Sequence, residues 1–265
     1  MATIEYRYPT VNYEYLPPEF PDIMQIQYLA EKFLQFIPRG IPDYPSHGVD
    51  HSLNIIKHVD SMIKNWYVDL SSEEIYLLYC AAWLHDIGNI IERKNHNEFS
   101  ACIINESLII ESLLGREMQN QLAWIAKAHS SSCNICEVPI QVGNVRLRFI
   151  SSLFRILDAC EIINTKCPEA VYNVIEKVLN QTSKTYWESH KSILSIEFRS
   201  AEIIYYVTDR DKSDLLINHL GEEMESVKDI ICFNGVDFPE ITVIETTPFK
   251  NKVVVPKSRN KNSTF

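Results

Sequence analysis

Apolar residues recur at helical spacing through most of the chain. Ile26, Leu29, Phe33 and Phe36-Ile37 share one face of a segment from Asp22 to Ile37, which predicts an amphipathic helix. Pro38, Gly40, Pro42 and Pro45 end that pattern and predict a loop. A second helix is expected from Asp50, with Leu53, Ile56, Val59, Met62-Ile63 and Trp66 as its stripe. Ser71, followed three residues on by Glu74, is a capping-box pattern. It opens a run, Ile75 to Leu84, that is apolar nearly all round, so this helix should be central. Gly88 is expected to supply its stop. Further helices are expected from His96 to about Gly115 with a break near Ser107, from Arg116 to His129, from Val145 to Cys160, and from Cys167-Pro168-Glu169 to about Gln181.

The pattern changes after Ser183. Residues 193–198 and 202–207 read as two strands joined by a short turn. Asp211 to Phe233 reads as a helix and Ile241 to Glu245 as a third strand. The expected fold class is mainly α: a helical bundle over residues 1–183 with an N-terminal arm over 1–21, then a small α+β appendage over 184–248 packed on it. A flexible tail over 249–265 follows, with five basic residues and no acidic ones from Lys250 onward.

Composition narrows the function classes. A formal net charge of −10 over 265 residues argues against a coater of DNA or RNA, which needs a broad basic face. A small phosphorylated substrate needs only a local positive site. Seven cysteines without a paired framework, no apolar leader and no span-length apolar run point to a reduced, cytoplasmic protein with no membrane partner. Oligomeric state stays open, a homo-oligomer included.

The chemistry concentrates at Trp83-Leu84-His85-Asp86-Ile87-Gly88-Asn89. An imidazole and a carboxylate stand side by side at the end of a buried helix, and burying both is costly unless something binds them. A divalent cation does so, since both groups are good ligands. His51 upstream, and His96, His129 and Asp158 downstream, fall on or beside predicted helices.

The order His, His-Asp, His, His, Asp resembles the HD-domain superfamily of metal-dependent phosphohydrolases, in its two-metal branch, over residues 45 to 175. Leu77 to Gly88, His96-Asn97-Glu98-Phe99-Ser100-Ala101, Ala128-His129-Ser130 and Arg155-Ile156-Leu157-Asp158-Ala159 are most similar to the HD module found beside GHKL-type, chaperone-like ATPases. The resemblance implies an HD helical bundle and two divalent ions, among Mn, Fe, Ni, Co, Zn and Mg. His51, His85 and Asp158 would hold the first ion, His96 and His129 the second, and Asp86 would bridge them. It also implies hydrolysis of a phosphoester or phosphoanhydride of a nucleotide-like substrate by metal-bound hydroxide. A one-metal site built on His51, His85, Asp86 and Asp158 is the simpler variant. Asn89 stands where many relatives carry a phosphate-contacting lysine, and no Gly-Tyr-Pro signature of cyclic-di-GMP phosphodiesterases is present.

Catalytic candidates beyond Asp86 are His47, which can touch a phosphate, donate a proton or merely cap its loop, and Lys94, Arg93 and Arg155, each a phosphate clamp or a solvated charge. Asp50 can orient an imidazole or cap its helix. Cys133 and Cys136 have zinc spacing but lack a second pair, which favours ordinary thiols. Trp187 and His190 read as packing. The alternatives to a phosphohydrolase are a metal-dependent nuclease on single-stranded nucleic acid and a non-catalytic module that binds a nucleotide or a partner.

Overall fold

The computed structural model describes residues 10–20, 22–40 and 43–247. The N-terminal part of the arm and the basic tail lie outside the described residues. Helix α1 spans Ile23–Leu34 and α2 is a single turn, Ile37–Gly40. The buried face of α1 is Ile23, Ile26, Ala30 and Leu34, whereas Phe36 stands half-exposed. Of the expected stripe, Ile26 and Ile37 are buried and Leu29 and Phe33 pack against the core, so only Phe36 departs from it. The loop expected from Pro38 begins with the turn α2, since a proline is tolerated in a first helical turn.

Helix α3, Val49–Asn65, buries Ile55, Ile56, Val59 and Met62. Helix α4, Ser72–Leu84, opens on the expected capping box: Ser71 Oγ accepts from the Glu74 N–H at 3.2 Å, and the Glu74 carboxylate accepts from the Ser71 N–H at 3.0 Å. Glu74 is buried and is paired with the Arg146 guanidinium at 2.7 Å, which ties the start of α4 to the start of a later helix. From Tyr76 to Leu84 every residue of α4 is buried. Residues 10–20 lie across α4, with the Trp83 Nε1–H donating to Tyr13 Oη at 2.9 Å and Phe20 stacked on Tyr76.

After His85 and Asp86 the chain makes a 3-10 turn, Ile87–Ile90, then enters α5, His96–Glu106. Ser107 breaks the helix and caps α6, Leu108–Ala128, accepting from the Ile110 N–H. Gly115 at φ 74° kinks α6 where a new helix was expected. Helix α7 is Leu147–Ala159, and α8, Glu169–Ile175, is shorter than expected. Helix α9, Gln181–Ser192, capped by Asn180, lies where the helical pattern seemed to end. Its residues are mostly polar and only Trp187, Ser189, His190 and Ser192 are buried, so it has no apolar stripe to read.

The hairpin forms as expected. Strand β1, Ile193–Arg199, pairs antiparallel with β2, Glu202–Val207. The single long helix expected next is two, α10, Arg210–Glu225, and α11, Lys228–Phe233. Strand β3, Glu240–Glu245, returns parallel to β2, giving the order β1-β2-β3. The fold is thus mainly α with a small C-terminal sheet. One apolar core runs from α1, α3, α4, α6 and α7 into Ile193, Ile203, Tyr205 and Leu220.

Gly88 does not end α4 in the left-handed conformation. It sits inside the 3-10 turn, donates its N–H to Ser100 Oγ at 2.8 Å, and brings that turn against the first residues of α5. A Cβ at this position would run into the His96 carbonyl oxygen and reach 2.6 Å from the Ser100 nitrogen, both backbone atoms. Gly88→Ala should therefore displace α5, at a cost on the order of 3 kcal/mol, the upper end for overpacking, and lower Tm by roughly 6–12 °C. Thermal unfolding of the variant checks this; an unchanged Tm would mean the close approach is not needed.

Candidate metal centre

The end of α4 delivers His85 and Asp86, the first turn of α3 delivers His51, the start of α5 His96, the end of α6 His129, and the end of α7 Asp158. Helix ends suit this task because they fix the Cα while leaving the side chain free of the next turn. All six converge. His51 Nε2 lies 3.2 Å from His85 Nε2 and 3.1 Å from Asp158 Oδ1, and His85 Nε2 lies 3.3 Å from Asp158 Oδ1. Asp86 Oδ2 is 3.6 Å from both His51 and His85 Nε2. Its other oxygen, Oδ1, faces the opposite way, 3.4 Å from His96 Nε2 and 3.8 Å from His129 Nε2, which are 2.9 Å from each other.

Each imidazole is oriented through its far nitrogen. Nδ1 of His85 lies 3.0 Å from the Ala81 carbonyl, that of His96 2.8 Å from Arg93 O, and that of His129 2.6 Å from Ala126 O. A carbonyl accepts only, so each Nδ1 carries the proton and each Nε2 keeps its lone pair. His51 Nδ1 is held instead by the buried carboxylate of Glu161 at 3.0 Å. This donor set fits a divalent cation: Nε2 lone pairs and carboxylate oxygens, gathered within 4.8 Å of one another in His51, His85 and Asp158, and again in His85, Asp86 and His129.

Electrostatics follow from the crowding. Burial alone would raise the Asp86 carboxyl, but the surrounding rings, His85 and His96 foremost, hold it well below the ordinary range. Burial likewise works against Glu161, and the Lys166 ammonium 2.9 Å away together with His51 brings it down to about 2. Glu161 also accepts from Asn54 Nδ2 at 2.9 Å.

A cavity of about 270 Å³ opens beside Asp86 and Asp158. Its walls include His47, Arg93, Glu161 and Lys166, with Tyr186 and His190 from α9 and Leu216 and His219 from α10. Arg93 reaches 3.9 Å from Asp86 Oδ1 and lies over the Tyr44 ring. His47 gives its Nδ1–H to the Pro45 carbonyl at 2.7 Å, and burial, aided by Arg93 and Lys166, pushes its pKa well down. Its Nε2 therefore presents an acceptor to the cavity.

Three expectations are corrected. Lys94 is exposed on the turn before α5 and outside the cavity, which Arg93 and Lys166 line instead. Arg155 is buried with its fork spent on three carbonyls and a hydroxyl: Nε on Ala128 O at 2.8 Å, Nη2 on Cys133 O at 2.8 Å and Ser130 O at 3.1 Å, and Nη1 on Ser226 Oγ at 3.1 Å. It is a strut for the loop after His129. His190 does more than pack, because it is buried yet lines the cavity, whereas Trp187 packs in a small cluster with Cys167, Tyr172 and Leu179. Asp50 is exposed in the first turn of α3. The cysteines are all free, and among the described residues no group able to hold a metal includes one.

Sequence reasoning missed Glu161 and Lys166. A signal was present: Glu161 stands inside Ala159-Cys160-Glu161-Ile162-Ile163, an otherwise apolar run, and a carboxylate there must be partnered. Tyr186 and His219 carried no such mark.

A helical bundle that gathers this His and Asp set at its helix ends defines an HD-type domain. The HD-CE family model matches residues 41–230, and the chain belongs to the HD-CE family. Comparison with curated proteins gives no match.

Because Arg155 satisfies three carbonyls, Arg155→Met leaves them without a donor and should cost roughly 3 kcal/mol or more. Arg155→Lys, lacking the fork, should lose most of that too. The measurement is Tm alongside metal content of the folded protein: a large drop in Tm with metal content kept is expected. Unchanged stability with lost turnover would restore the phosphate-clamp role.

Proposed function

We propose that this protein is a metal-dependent phosphohydrolase acting on a phosphoester or phosphoanhydride of a small nucleotide-like substrate. The observation that supports this most is the opposed use of the two Asp86 oxygens, Oδ2 toward His51, His85 and Asp158, and Oδ1 toward His96 and His129. That arrangement favours two ions bridged by Asp86 over the one-ion variant. Divalent ions bound there supply Lewis acidity to a phosphoryl oxygen and lower the pKa of water.

The chain's own residues supply the rest. Glu161 holds the His51 ring in register, and the carbonyls of Ala81, Arg93 and Ala126 do the same for His85, His96 and His129. Arg93, expected beside Lys94 as a phosphate clamp, lines the cavity 3.9 Å from Asp86 and would hold a phosphoryl oxygen. His47 Nε2 is an acceptor for a proton on the cavity side. The cavity takes a small molecule more readily than a strand, being near the lower bound of small-ligand sites, ~300 Å³. With the acidic balance of the chain, this weighs against the nuclease alternative. The kinship with the GHKL-associated module rests on the shared motifs and implies no substrate.

The experiment is metal analysis of wild type and variants beside hydrolysis of nucleoside mono-, di- and cyclic phosphates with Mn added. Wild type should hold two ions. Asp86→Ala should lose both and fall in kcat/KM by about 1,000-fold or more, while His96→Ala should lose one. Metal content that is equal in wild type and Asp86→Ala would reject the reading; nucleotide binding without turnover under any metal would favour the non-catalytic module.

A further inference from the structure

Helices α9 and α10 belong to the C-terminal part of the chain, yet they form one wall of the cavity. Tyr186 and His190 are four residues apart on α9, and Leu216 and His219 three apart on α10, so each pair presents a single helix face. His190 is 94% buried by its 6% exposure, and its Nδ1–H is given to the Ile162 carbonyl at 2.8 Å. The other ring nitrogen, Nε2, has no protein partner among the described residues and is not among the sealed, unsatisfied atoms. It is therefore open to the cavity that His190 lines. A buried imidazole in this tautomer offers one lone pair and no proton.

That chemistry is selective. An unprotonated phosphate oxygen has no hydrogen to give to a lone pair; a donor must supply one. The cavity's carboxylates already have cations of the chain beside them, Lys166 at 2.9 Å from Glu161 and Arg93 at 3.9 Å from Asp86, so a cationic donor is not called for. Burial, with Lys166 adding to it, pulls the His190 ring down to about 4, so it stays a neutral acceptor at neutral pH. A neutral hydroxyl fits, next to a flat group that can lie against Tyr186 one turn away.

We infer that the α9–α10 wall is the recognition site for the organic half of the substrate, and that this half is a ribonucleoside whose sugar hydroxyl donates to His190 Nε2 while its base lies against Tyr186. The inference rests on the phosphohydrolase reading for the phosphate end and adds the group at the other end. His190 is a specificity residue and takes no part in the bond-breaking step.

The test is calorimetric titration of the Mn-loaded full chain with adenosine and cytidine 5′-monophosphates and their 2′,3′-dideoxy counterparts. In wild type the ribonucleotides should bind about tenfold or more tightly, the weight of one buried hydrogen bond. His190→Asn keeps a donor for Ile162 but loses the acceptor, and should bring ribonucleotide affinity down to the dideoxy level, leaving dideoxy affinity unchanged. His190→Gln, which can place an oxygen near the Nε2 position, should retain part of the preference, so a folding defect in one variant does not decide the matter. Where turnover is measurable, His190→Asn should raise KM and leave kcat. Equal affinity for both sugars in wild type, an equal loss for both in His190→Asn, or no binding of any of the four would overturn the inference. Sugar discrimination without turnover would instead reject the hydrolase reading and keep this one.

Discussion

A carboxylate buried at the centre of the bundle is the constraint on which the rest depends. Asp86 is 3% exposed, and around it stand four imidazoles at 3.4–3.8 Å and the Arg93 guanidinium at 3.9 Å. Left without partners, a buried charge costs several kcal/mol, so the helices must bring partners to it. They do so from five separate stretches of chain, and each stretch is held for that purpose. The capping box and the Arg146 pair fix where α4 begins, the close approach at Gly88 fixes where α5 begins, and Arg155 fixes the loop after His129.

Orientation matters as much as convergence. Four rings have their outer nitrogens committed, three to carbonyls and one to Glu161, before any ligand arrives. The tautomers are thus set by backbone geometry, and the lone pairs point at one another and at the two aspartates. Such an arrangement repels itself when empty of charge and gains on binding a cation, and the outer partners contribute to that gain. His47 and His190 use the same device on the cavity side, each with Nδ1 on a carbonyl, so the preference for acceptors extends from the metal centre to the place where an organic group would lie.

Much of this was legible in the residues. The capping box at Ser71, the apolar run to Leu84 and the turn between the strands follow local rules, and the elements formed where those rules put them. The His and Asp order marked the site because charged and polar groups interrupted strongly apolar helices. The failures have one physical cause. Helix α9 is polar and held by a few tertiary contacts, such as Trp187 Nε1 on the Asp43 carbonyl at 3.1 Å, and no periodicity announces such contacts. Arg155 looked like a solvated or substrate-binding cation because its partners, carbonyls 22 to 27 residues away in sequence, are anonymous in a sequence. Glu161 was the one omission with a visible mark.

The proposed two-ion site would place one cation on each side of Asp86. Crystals grown with Mn and measured on both sides of its absorption edge test this most directly. The account predicts two anomalous peaks, one among His51, His85 and Asp158, the other beside His96 and His129, with one Asp86 oxygen on each. A single peak on the first group would reduce the centre to one ion, and density without a peak, with the six side chains unchanged, would contradict the account altogether.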